Sequence, residues 1–509
     1  MAEPVVESAT GRPRLVSRFV RGFRPLWLAP LLAVLALGAW ALASPLGASP
    51  DDDFHLASIW CAQSSPESTC AVDPETGQRS VPVALIRAPC FAHQPNETAA
   101  CQTPFFADPA VRAFTDRGNF FNNYPPVYYA TMGIFASDNY LVSALVMRLI
   151  NVLLFVGITT VLFLLLPLRR RATLLWAWII TLVPLGLFLV ASNNPSSWAI
   201  TGVGSAWLAL LGYFETTGRR RVGLGVAFVV AALMAAGARG DAAIYIVLSI
   251  GIVAVLTFRP ERTWWRRFIL PAVVGVGAVL FYLGSQQSGV AVGGLGTGQS
   301  GSTDAAGALG SFALLAYNVL YVPSLWSGIF TGSGWTLGWF DTEMPAIVFF
   351  AASFVFAGVV FAGLRRTRWR KTLAVVGLIL VLWLLPVYVL VAGHNAVGEN
   401  VQPRYLLPLF VVLAGVATLA VRASGLRISV AQAVLVAVAL SGAQAVALHS
   451  NLRRYVMGSD VAGFNLDERI EWWWDLPISP MGVWVIGTLA FAALMAILLK
   501  AIASPHVTR

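Results

Sequence analysis

The sequence predicts an all-α membrane protein that crosses the bilayer about twelve times. Hydrophobic residues make up 57% of its 509 residues and charged residues only 11%, whereas soluble globular proteins carry roughly 25% charged residues. Twelve apolar runs approach or exceed the length of about 20 residues that spans a hydrocarbon core. Clusters of arginine follow alternate runs in short loops. These observations exclude a soluble enzyme, a disordered chain and a small disulfide-rich domain.

The apolar runs define the predicted spans in chain order. They cover residues 26–44, 139–167, 172–191, 197–214, 222–238, 242–257, 268–285, 344–364, 372–393, 405–421, 428–448 and 481–500. A thirteenth stretch, 311–330, is apolar but is interrupted by Pro323, Ser324 and Trp326. We expect it to be a re-entrant or interfacial segment.

The placement of basic residues predicts the orientation. With twelve spans, the arginine-rich short loops and both termini fall on one side, which carries 24 basic and 4 acidic residues, against 10 basic and 20 acidic on the other. Cytoplasmic loops carry such an excess of Lys and Arg. We therefore expect cytoplasmic termini and a multi-pass protein of the cell inner (plasma) membrane. The net charge of +10 is then a topological signal, and no nucleic-acid partner is expected.

The predicted organisation is a short cytoplasmic arm, residues 1–25, followed by one transmembrane domain, residues 26–509. Ala41-Leu42-Ala43 resembles a signal-peptidase site, but the preceding apolar run is long for a signal peptide, which favours a retained span. Residues 45–138 are exported in both cases and form the first large extracytoplasmic loop. Residues 286–343 and 449–480 form two more.

All four cysteines, Cys61, Cys70, Cys90 and Cys101, lie in the first loop. An even number of cysteines in an oxidising compartment indicates two disulfides. Three pairings are open, and the lower cost of closing short loops favours Cys61–Cys70 with Cys90–Cys101. A zinc site is the alternative, although the sequence has no CxxC spacing.

The densest acidic cluster is Asp51-Asp52-Asp53, followed by His55, just beyond the first span. It is either a solvated loop or a group of carboxylates at the mouth of a cavity between helices. In the second case Asp51 or Asp52 is a candidate catalytic base, and the cluster could also hold a divalent cation. Asp53 and His55 are candidate substrate-binding residues, and His55 could orient the base or share its proton.

Three arginines stand near or within apolar segments on the acidic side. Arg239, close to Asp241, is either half of a local ion pair or a phosphate ligand that Asp241 positions. Arg404, followed by Tyr405, either anchors a helix end or binds a phosphate through its bidentate fork. Arg148 lies within a span, where a charge is costly, so we expect it to face the bundle interior with an acid or a phosphate.

Further polar and aromatic candidates fall on the same side. Each is a helix cap, a turn or an anchor by default and a substrate contact by hypothesis. The candidate substrate-binding residues are Tyr124, Tyr128, Asn193, Asn194, Asp241, Asp341 and Tyr405. The sequence lacks a P-loop or a GxGxxG after a strand, which favours outward-facing chemistry with a membrane-held, phosphate-bearing donor over a soluble nucleotide donor.

Several of these segments together resemble a bacterial family of polytopic membrane proteins known only as a domain of unknown function. The motifs run in family order from about residue 50 to 410. They are Pro50-Asp51-Asp52-x-x-His55, Tyr124-Pro125-Pro126-x-Tyr128-Tyr129, Arg148-Leu149-x-Asn151, Asn194-Pro195, Gly338-Trp339-Phe340-Asp341-Thr342 and Arg404-Tyr405-Leu406-Leu407-Pro408. Asp52 stands where the family shows Glu, and Arg239-Gly240-Asp241 stands where a Lys-Pro-like pattern is usual.

The resemblance implies a GT-C superfold glycosyltransferase. Its donor would be a sugar linked to polyprenyl phosphate, and its acceptor a cell-envelope glycan on the extracytoplasmic face. Carried over by motif, an acidic residue of the first outer loop, Asp51 or Asp52, is the base. Arg404, with Arg239 or Arg148, holds the lipid phosphate.

Two other functions compete with this expectation. A transporter or flippase of a lipid-linked sugar would also place charges inside the bundle, but it would show inverted repeats with broken helices, and no clear repeat is present. A non-catalytic scaffold for an envelope polymerase would tolerate loss of Arg404.

Overall fold

The computed structural model describes residues 25–62, 70–290, 310–365, 367–419, 428–468 and 471–503. The predicted cytoplasmic arm up to residue 24, most of the Gly-rich part of the 286–343 loop, and the predicted cytoplasmic arginines Arg366, Arg422 and Arg427 lie outside these residues.

The described chain is helical apart from one small hairpin. The hairpin joins β1 (Arg79–Pro82) and β2 (Arg112–Thr115) antiparallel, with Arg79 opposite Thr115. The helices are α1 (Ala29–Leu42), α2 (Asp52–Cys61), α3 (Val83–Arg87), α4 (Thr103–Phe106), α5 (Val127–Gly133), α6 (Tyr140–Leu165), α7 (Leu168–Ile179), α8 (Leu185–Val190), α9 (Ser196–Glu215), α10 (Gly218–Ala238), α11 (Gly240–Thr257), α12 (Arg262–Leu283), α13 (Ser311–Gly328), α14 (Ala346–Gly363), α15 (Trp369–Ala392), α16 (Pro403–Ala417), α17 (Val430–Val456) and α18 (Pro480–Ala503).

The helices confirm a multi-pass membrane protein. In the described ranges, nine helices are long and apolar enough to cross a membrane, and two shorter apolar helices, Leu26–Leu42 and Pro403–Ala417, accompany them. These eleven helices correspond to eleven of the twelve predicted spans. The long helices expose many large apolar side chains, such as Phe361 on α14, which is the surface that lipid requires.

The predicted span 172–191 is wrong as a single helix. The structure divides it into α7 and α8, and Pro184 is the residue before α8. Because proline has no backbone N–H and its ring clashes with the preceding turn, it disfavours a continuous helix, and here the chain breaks between α7 and α8. Both pieces are nonetheless buried, so the apolar content of this run is explained by packing inside the bundle.

Two other boundaries also need correction. The interruption expected at Pro323 does not occur, because α13 runs through it as one helix. The predicted loop 449–480 begins within a helix, since α17 continues to Val456. Both segments pack on the bundle: Asn318 Nδ2 of α13 donates to the Asn395 carbonyl at 2.9 Å, and Asn451 Nδ2 of α17 donates to the Ala43 carbonyl at 2.8 Å.

The bundle core centres on α9, which is buried along almost its whole length and packs against α10, α11 and α16. We call the end of the bundle that carries residues 43–139 the loop end. The opposite end, which holds the turns after α6, α9, α11 and α14, is called the arginine end. α9 connects the two ends, from Ser196 at the loop end to Glu215 at the arginine end, and its 20 residues measure about 30 Å at 1.5 Å per residue.

Two disulfides fasten the segment at the loop end. Cys61 pairs with Cys70 and Cys90 with Cys101, which is the local pairing that short loop closure favours. The first disulfide joins the end of α2 to the turn before the hairpin. α2 is therefore tied to the loop structure around it, and its first residues are held in place at the bundle.

Candidate functional site

The turn that begins α2 is the centre of the site. Asp51 precedes the helix with a left-handed backbone, φ 60°, a conformation that Asp tolerates better than most residues. Asp52 is the first helical residue, and its Oδ2 accepts from the N–H of Ser49, in the turn before the helix, at 3.1 Å. The two neighbouring carboxylates therefore point in different directions.

Asp51 faces the arginine of α16. Its Oδ2 accepts a hydrogen bond from Arg404 Nη2, and Arg404 Nη1 donates to the Pro50 carbonyl at 3.2 Å. Asn194 Nδ2 donates to the same carbonyl at 2.8 Å. Three segments that the sequence singled out, near residues 51, 194 and 404, thus meet at one turn.

A second arginine, Arg239, also contacts Tyr405. The Arg239 guanidinium stands 4.6 Å from the centre of the Tyr405 ring and Arg404 stands 5.2 Å from it. Both distances fit cation–π contacts. Arg239 is also paired with Asp241 through two hydrogen bonds of 2.9 Å. The half-buried Tyr405 thus contacts two guanidinium groups.

Tyr124 and Tyr405 both contact Arg239, and we call these two rings, with the neighbouring His55, the aromatic wall. The Tyr124 ring lies 5.6 Å from the Arg239 guanidinium and edge-on to the His55 ring at 5.5 Å. Burial raises the pKa of Tyr124 to about 12, so the hydroxyl stays protonated at neutral pH. It can therefore serve as a hydrogen-bond donor.

Arg117, which the sequence reasoning missed, contacts two of the three acidic residues. It pairs with Asp53 through Nε at 2.6 Å and through Nη2 at 2.9 Å, and it lies 3.8 Å from Asp51. Nothing in the surrounding sequence distinguishes Arg117 from an ordinary loop arginine. Through this ion pair Asp53 connects α2 to the part of the first loop around Arg117.

The two candidate bases differ in accessibility. The Asp51 side chain is 37% exposed, whereas Asp52 is 0% exposed. Burial acts to raise the pKa of Asp51, but the positive charges of Arg404 and Arg117 outweigh it and lower the pKa below its usual value. Burial raises the pKa of Asp52 to about 7, against the opposing attraction of Arg148. Asp51 is therefore an accessible carboxylate, and Asp52 is an enclosed, partly protonated group.

His55 is enclosed as well. Its Nδ1 is 2.9 Å from the Tyr129 hydroxyl, and the ring is 1% exposed. Burial, followed by the nearby Arg404 and Arg239, lowers the pKa of His55 to about 3. At physiological pH His55 is therefore a neutral imidazole with one N–H, and its ring packs against Tyr124 and Tyr129.

Four other candidates lie outside this cluster. Arg148 donates to the carbonyls of Ala41 at 3.0 Å and Pro45 at 2.8 Å, and also to that of Ser44. It therefore caps the chain that leaves α1. Asn193 is fully buried, and Tyr128 packs in an apolar cluster against Trp198.

Asp341 belongs to a separate ion pair with Arg454, 3.1 Å away. Arg454 also donates to the carbonyls of Phe91 and Gln94, both at 2.9 Å. The sequence reasoning missed this arginine, which stands in the predicted third loop and not in an apolar segment. Its signal is faint, because Arg453-Arg454 reads as an ordinary basic pair at a helix end.

A metal site has few candidate ligands here. In the described ranges, no group of three or more His, Cys, Asp or Glu side chains is placed to hold a metal ion. Asp51 and Asp53 are the carboxylates that a cation could bridge, and Arg117 contacts both. A divalent cation would have to displace that guanidinium.

The fold and this cluster define a class: a multi-pass membrane protein with a charged, aromatic-lined site at one end of its helices. The chain belongs to the family described as "Predicted membrane protein (DUF2142)", whose model matches residues 34–413. The match covers the motifs from about residue 50 to 410, and it confirms the predicted membership of a membrane-protein family of unknown function.

Two further comparisons give little more. No curated protein matches the sequence. One solved structure, ArnT from Cupriavidus metallidurans bound to undecaprenyl phosphate, aligns with a TM-score of 0.39 and 13% identity over 94% of this chain and 77% of that chain. A likeness at this level does not establish a shared activity.

Proposed function

We propose that the protein is a membrane glycosyltransferase of GT-C type. It would transfer a sugar from a polyprenyl-phosphate-linked donor to a cell-envelope glycan. The observation that carries the proposal is the partly exposed Asp51 carboxylate on Arg404, together with a second guanidinium, Arg239, that contacts the same Tyr405 ring. A base and two phosphate-binding groups are the parts that such a transfer needs.

Asp51 is the proposed base. An acceptor hydroxyl can reach its exposed carboxylate, whereas Asp52 has no exposed surface. The acceptor oxygen attacks the anomeric carbon, its proton passes to Asp51, and the bond from that carbon to the phosphate oxygen breaks. The products are the glycosylated acceptor and polyprenyl phosphate.

Arg404 and Arg239 are the proposed ligands of the donor phosphate. A guanidinium presents a planar fork of donors that matches phosphate oxygens. Arg404 is held by Asp51 and Arg239 by Asp241, so phosphate binding competes with these carboxylates. When Arg404 turns to the phosphate, the pKa of Asp51 rises, and donor binding thereby increases the basicity of the base.

The aromatic residues are suited to bind the donor sugar between the Asp51 base and the donor phosphate. Tyr124 and Tyr405 flank Arg239 and supply hydroxyls beside ring faces, a combination suited to the polar edges and apolar faces of a sugar. Asn194 acts indirectly, because its amide holds the Pro50 carbonyl that precedes Asp51.

We further propose that the loop end faces the extracytoplasmic side. The arginine-rich turns lie at the opposite end, as the positive-inside rule requires of the cytoplasmic side. The two disulfides at the loop end fit an oxidising compartment. Lipid-linked donor and envelope acceptor would then meet on the outer face.

The test compares Asp51→Asn with Asp52→Asn in purified full-length protein. Each is assayed for transfer from a panel of polyprenyl-phosphate sugars to envelope glycan fragments. We expect Asp51→Asn to lose transfer by about 100-fold or more, as removal of a catalytic base does, and Asp52→Asn to retain most of it. Equal activity of wild type and Asp51→Asn would remove Asp51 from the mechanism.

A further inference from the structure

A large basic cavity opens at the arginine end, far from the proposed active site. Its volume is about 870 Å³, and its lining includes the first turn of α7, the end of α9 and residues of the turns after α11 and α14. The proposed active site contacts Ser196 at the other end of α9 through Arg239, whereas Glu215 lines the cavity. The length of α9, about 30 Å, separates the two.

The cavity carries a strong positive charge. Seven basic and two acidic side chains line it. One of the acids, Glu215, is already paired with Arg169 at 3.3 Å and with Arg170. A cavity with low-dielectric walls and charge of one sign concentrates ions of the opposite sign.

Three helices begin at the cavity, which adds a second and independent preference for anions. The first turns of α7, α12 and α15 all contribute lining residues. None of these first turns contains an acidic residue and none has a side-chain cap, while Glu261 stands at the N-cap position of α12. The unpaired N–H groups of a helix start attract anions.

Basic side chains in these first turns oppose the helix dipole. Arg370 and Lys371 lie in the first turn of α15, and Arg170 lies in that of α7. Cations are unfavourable at a helix N-terminus and anions are favourable. A bound anion would relieve both the repulsion among the side chains and the mismatch with the dipoles.

The positive-inside rule alone does not account for the cavity. Arg219, Arg220 and Arg221 stand at the start of α10, on the same end of the bundle, and they do not line it. Arg219 and Arg220 are exposed. Exposure is sufficient for residues that only set the orientation of the protein in the membrane. The cavity arginines satisfy the same rule and in addition surround an enclosed volume.

We propose that this cavity binds a phosphate-bearing anion with at least two negative charges. Two sources share this chemistry: the head group of an anionic lipid in the adjacent leaflet, and a soluble phosphate ester. The inference is independent of the transfer reaction, because no cavity residue belongs to the Asp51–Arg404 cluster.

The test uses full-length protein in detergent and two probes. Native mass spectrometry measures binding of phosphatidylglycerol against phosphatidylcholine, and calorimetry measures binding of inorganic pyrophosphate. The cavity variant is Arg259→Gln/Arg368→Gln/Arg370→Gln. The matched control is Arg219→Gln/Arg220→Gln/Arg221→Gln, which removes the same charge from the same end.

We expect wild type and control to bind at least one probe with affinities within about twofold of each other, and the cavity variant to bind at least about tenfold more weakly. Selective phosphatidylglycerol binding identifies a lipid head group, and pyrophosphate binding identifies a soluble ester. An equal loss in the two triple variants, or no saturable binding of either probe by wild type, overturns the proposal. If the triple variant does not fold, Arg368→Gln, at an exposed position, replaces it, with Arg219→Gln as its control.

Discussion

Two arginine–aspartate pairs at the loop end use the same chemistry for different purposes. In the pair of Arg454 with Asp341 the side chains are 1% and 2% exposed, and the guanidinium also holds backbone carbonyls. In the pair of Arg404 with Asp51 the carboxylate is 37% exposed, and the guanidinium donates to one backbone carbonyl, that of Pro50. The first pair fastens loops to α17, while the second leaves a carboxylate that a substrate can reach.

Four buried arginines at the loop end differ in what they are paired with. Arg148 and Arg454 both donate to three backbone carbonyls, so their positive charge organises the chain. Arg404 and Arg239 are paired mainly with partly exposed carboxylates. A phosphate can replace a carboxylate there without unfolding a loop.

The largest expected effect is on the structural pair. Arg454→Gln should destabilise the protein by about 3–5 kcal/mol, because it leaves Asp341 buried without its positive partner. The measurement is thermal unfolding in detergent. Arg404→Gln is the comparison, and its loss should be clearly smaller because Asp51 can be solvated. Equal losses in the two variants would break the distinction between the pairs.

The next effect is on transfer. Arg239→Gln should reduce the transfer rate by about 10- to 100-fold through loss of one phosphate donor, while the unfolding temperature changes little. Arg87→Gln is the control, because Arg87 is an exposed arginine of α3 at the same end of the bundle and is not assigned to the site. If both variants lose transfer equally, the phosphate role of Arg239 is wrong.

The effect that is smallest per pH unit sharpens the contrast between Asp51 and Asp52. Because the folded pKa of Asp52 is raised to about 7, the native state binds a proton that the unfolded state has lost. Its contribution to stability is therefore complete below about pH 4 and is lost as pH rises towards 7. Asp52→Asn should gain stability relative to wild type by about 1.4 kcal/mol per pH unit across this range.

Unfolding temperatures of wild type and Asp52→Asn, measured in parallel from pH 4 to 8, test this dependence. The difference should grow up to about pH 7 and then level off. A difference that is constant with pH would mean that Asp52 is ionised in the folded protein over the whole range.

Hydropathy and charge predicted most of the fold. The long runs became helices such as α11, because a bilayer span needs an apolar segment whose length is set by the membrane. The prediction of one span over 172–191 was wrong, because apolar content does not distinguish a lipid-facing helix from two buried helices separated at Pro184. The predicted interruption at Pro323 was wrong, because neighbouring helices can stabilise a helical turn that proline disfavours in isolation.

The site was predictable in its parts but not in its pairing. Asp51 and Arg404 each stood out as a charge near an apolar segment, yet 353 residues separate them, and no local pattern joins them. The sequence also could not distinguish Asp51 from Asp52, because a one-residue step around the start of α2 decides which carboxylate is buried. Arg117 and Arg454 were missed because their partners are distant in sequence.

The most direct test of the central claim is the amount of polyprenyl phosphate that purified protein retains. Wild type, Arg404→Gln and the control Arg117→Gln are incubated with polyprenyl phosphate, washed and extracted, and the lipid is quantified by mass spectrometry. We predict near-equal retention by wild type and Arg117→Gln, and a loss of about tenfold or more in Arg404→Gln. Retention by Arg404→Gln at the wild-type level would contradict the assignment of this cluster as the donor site.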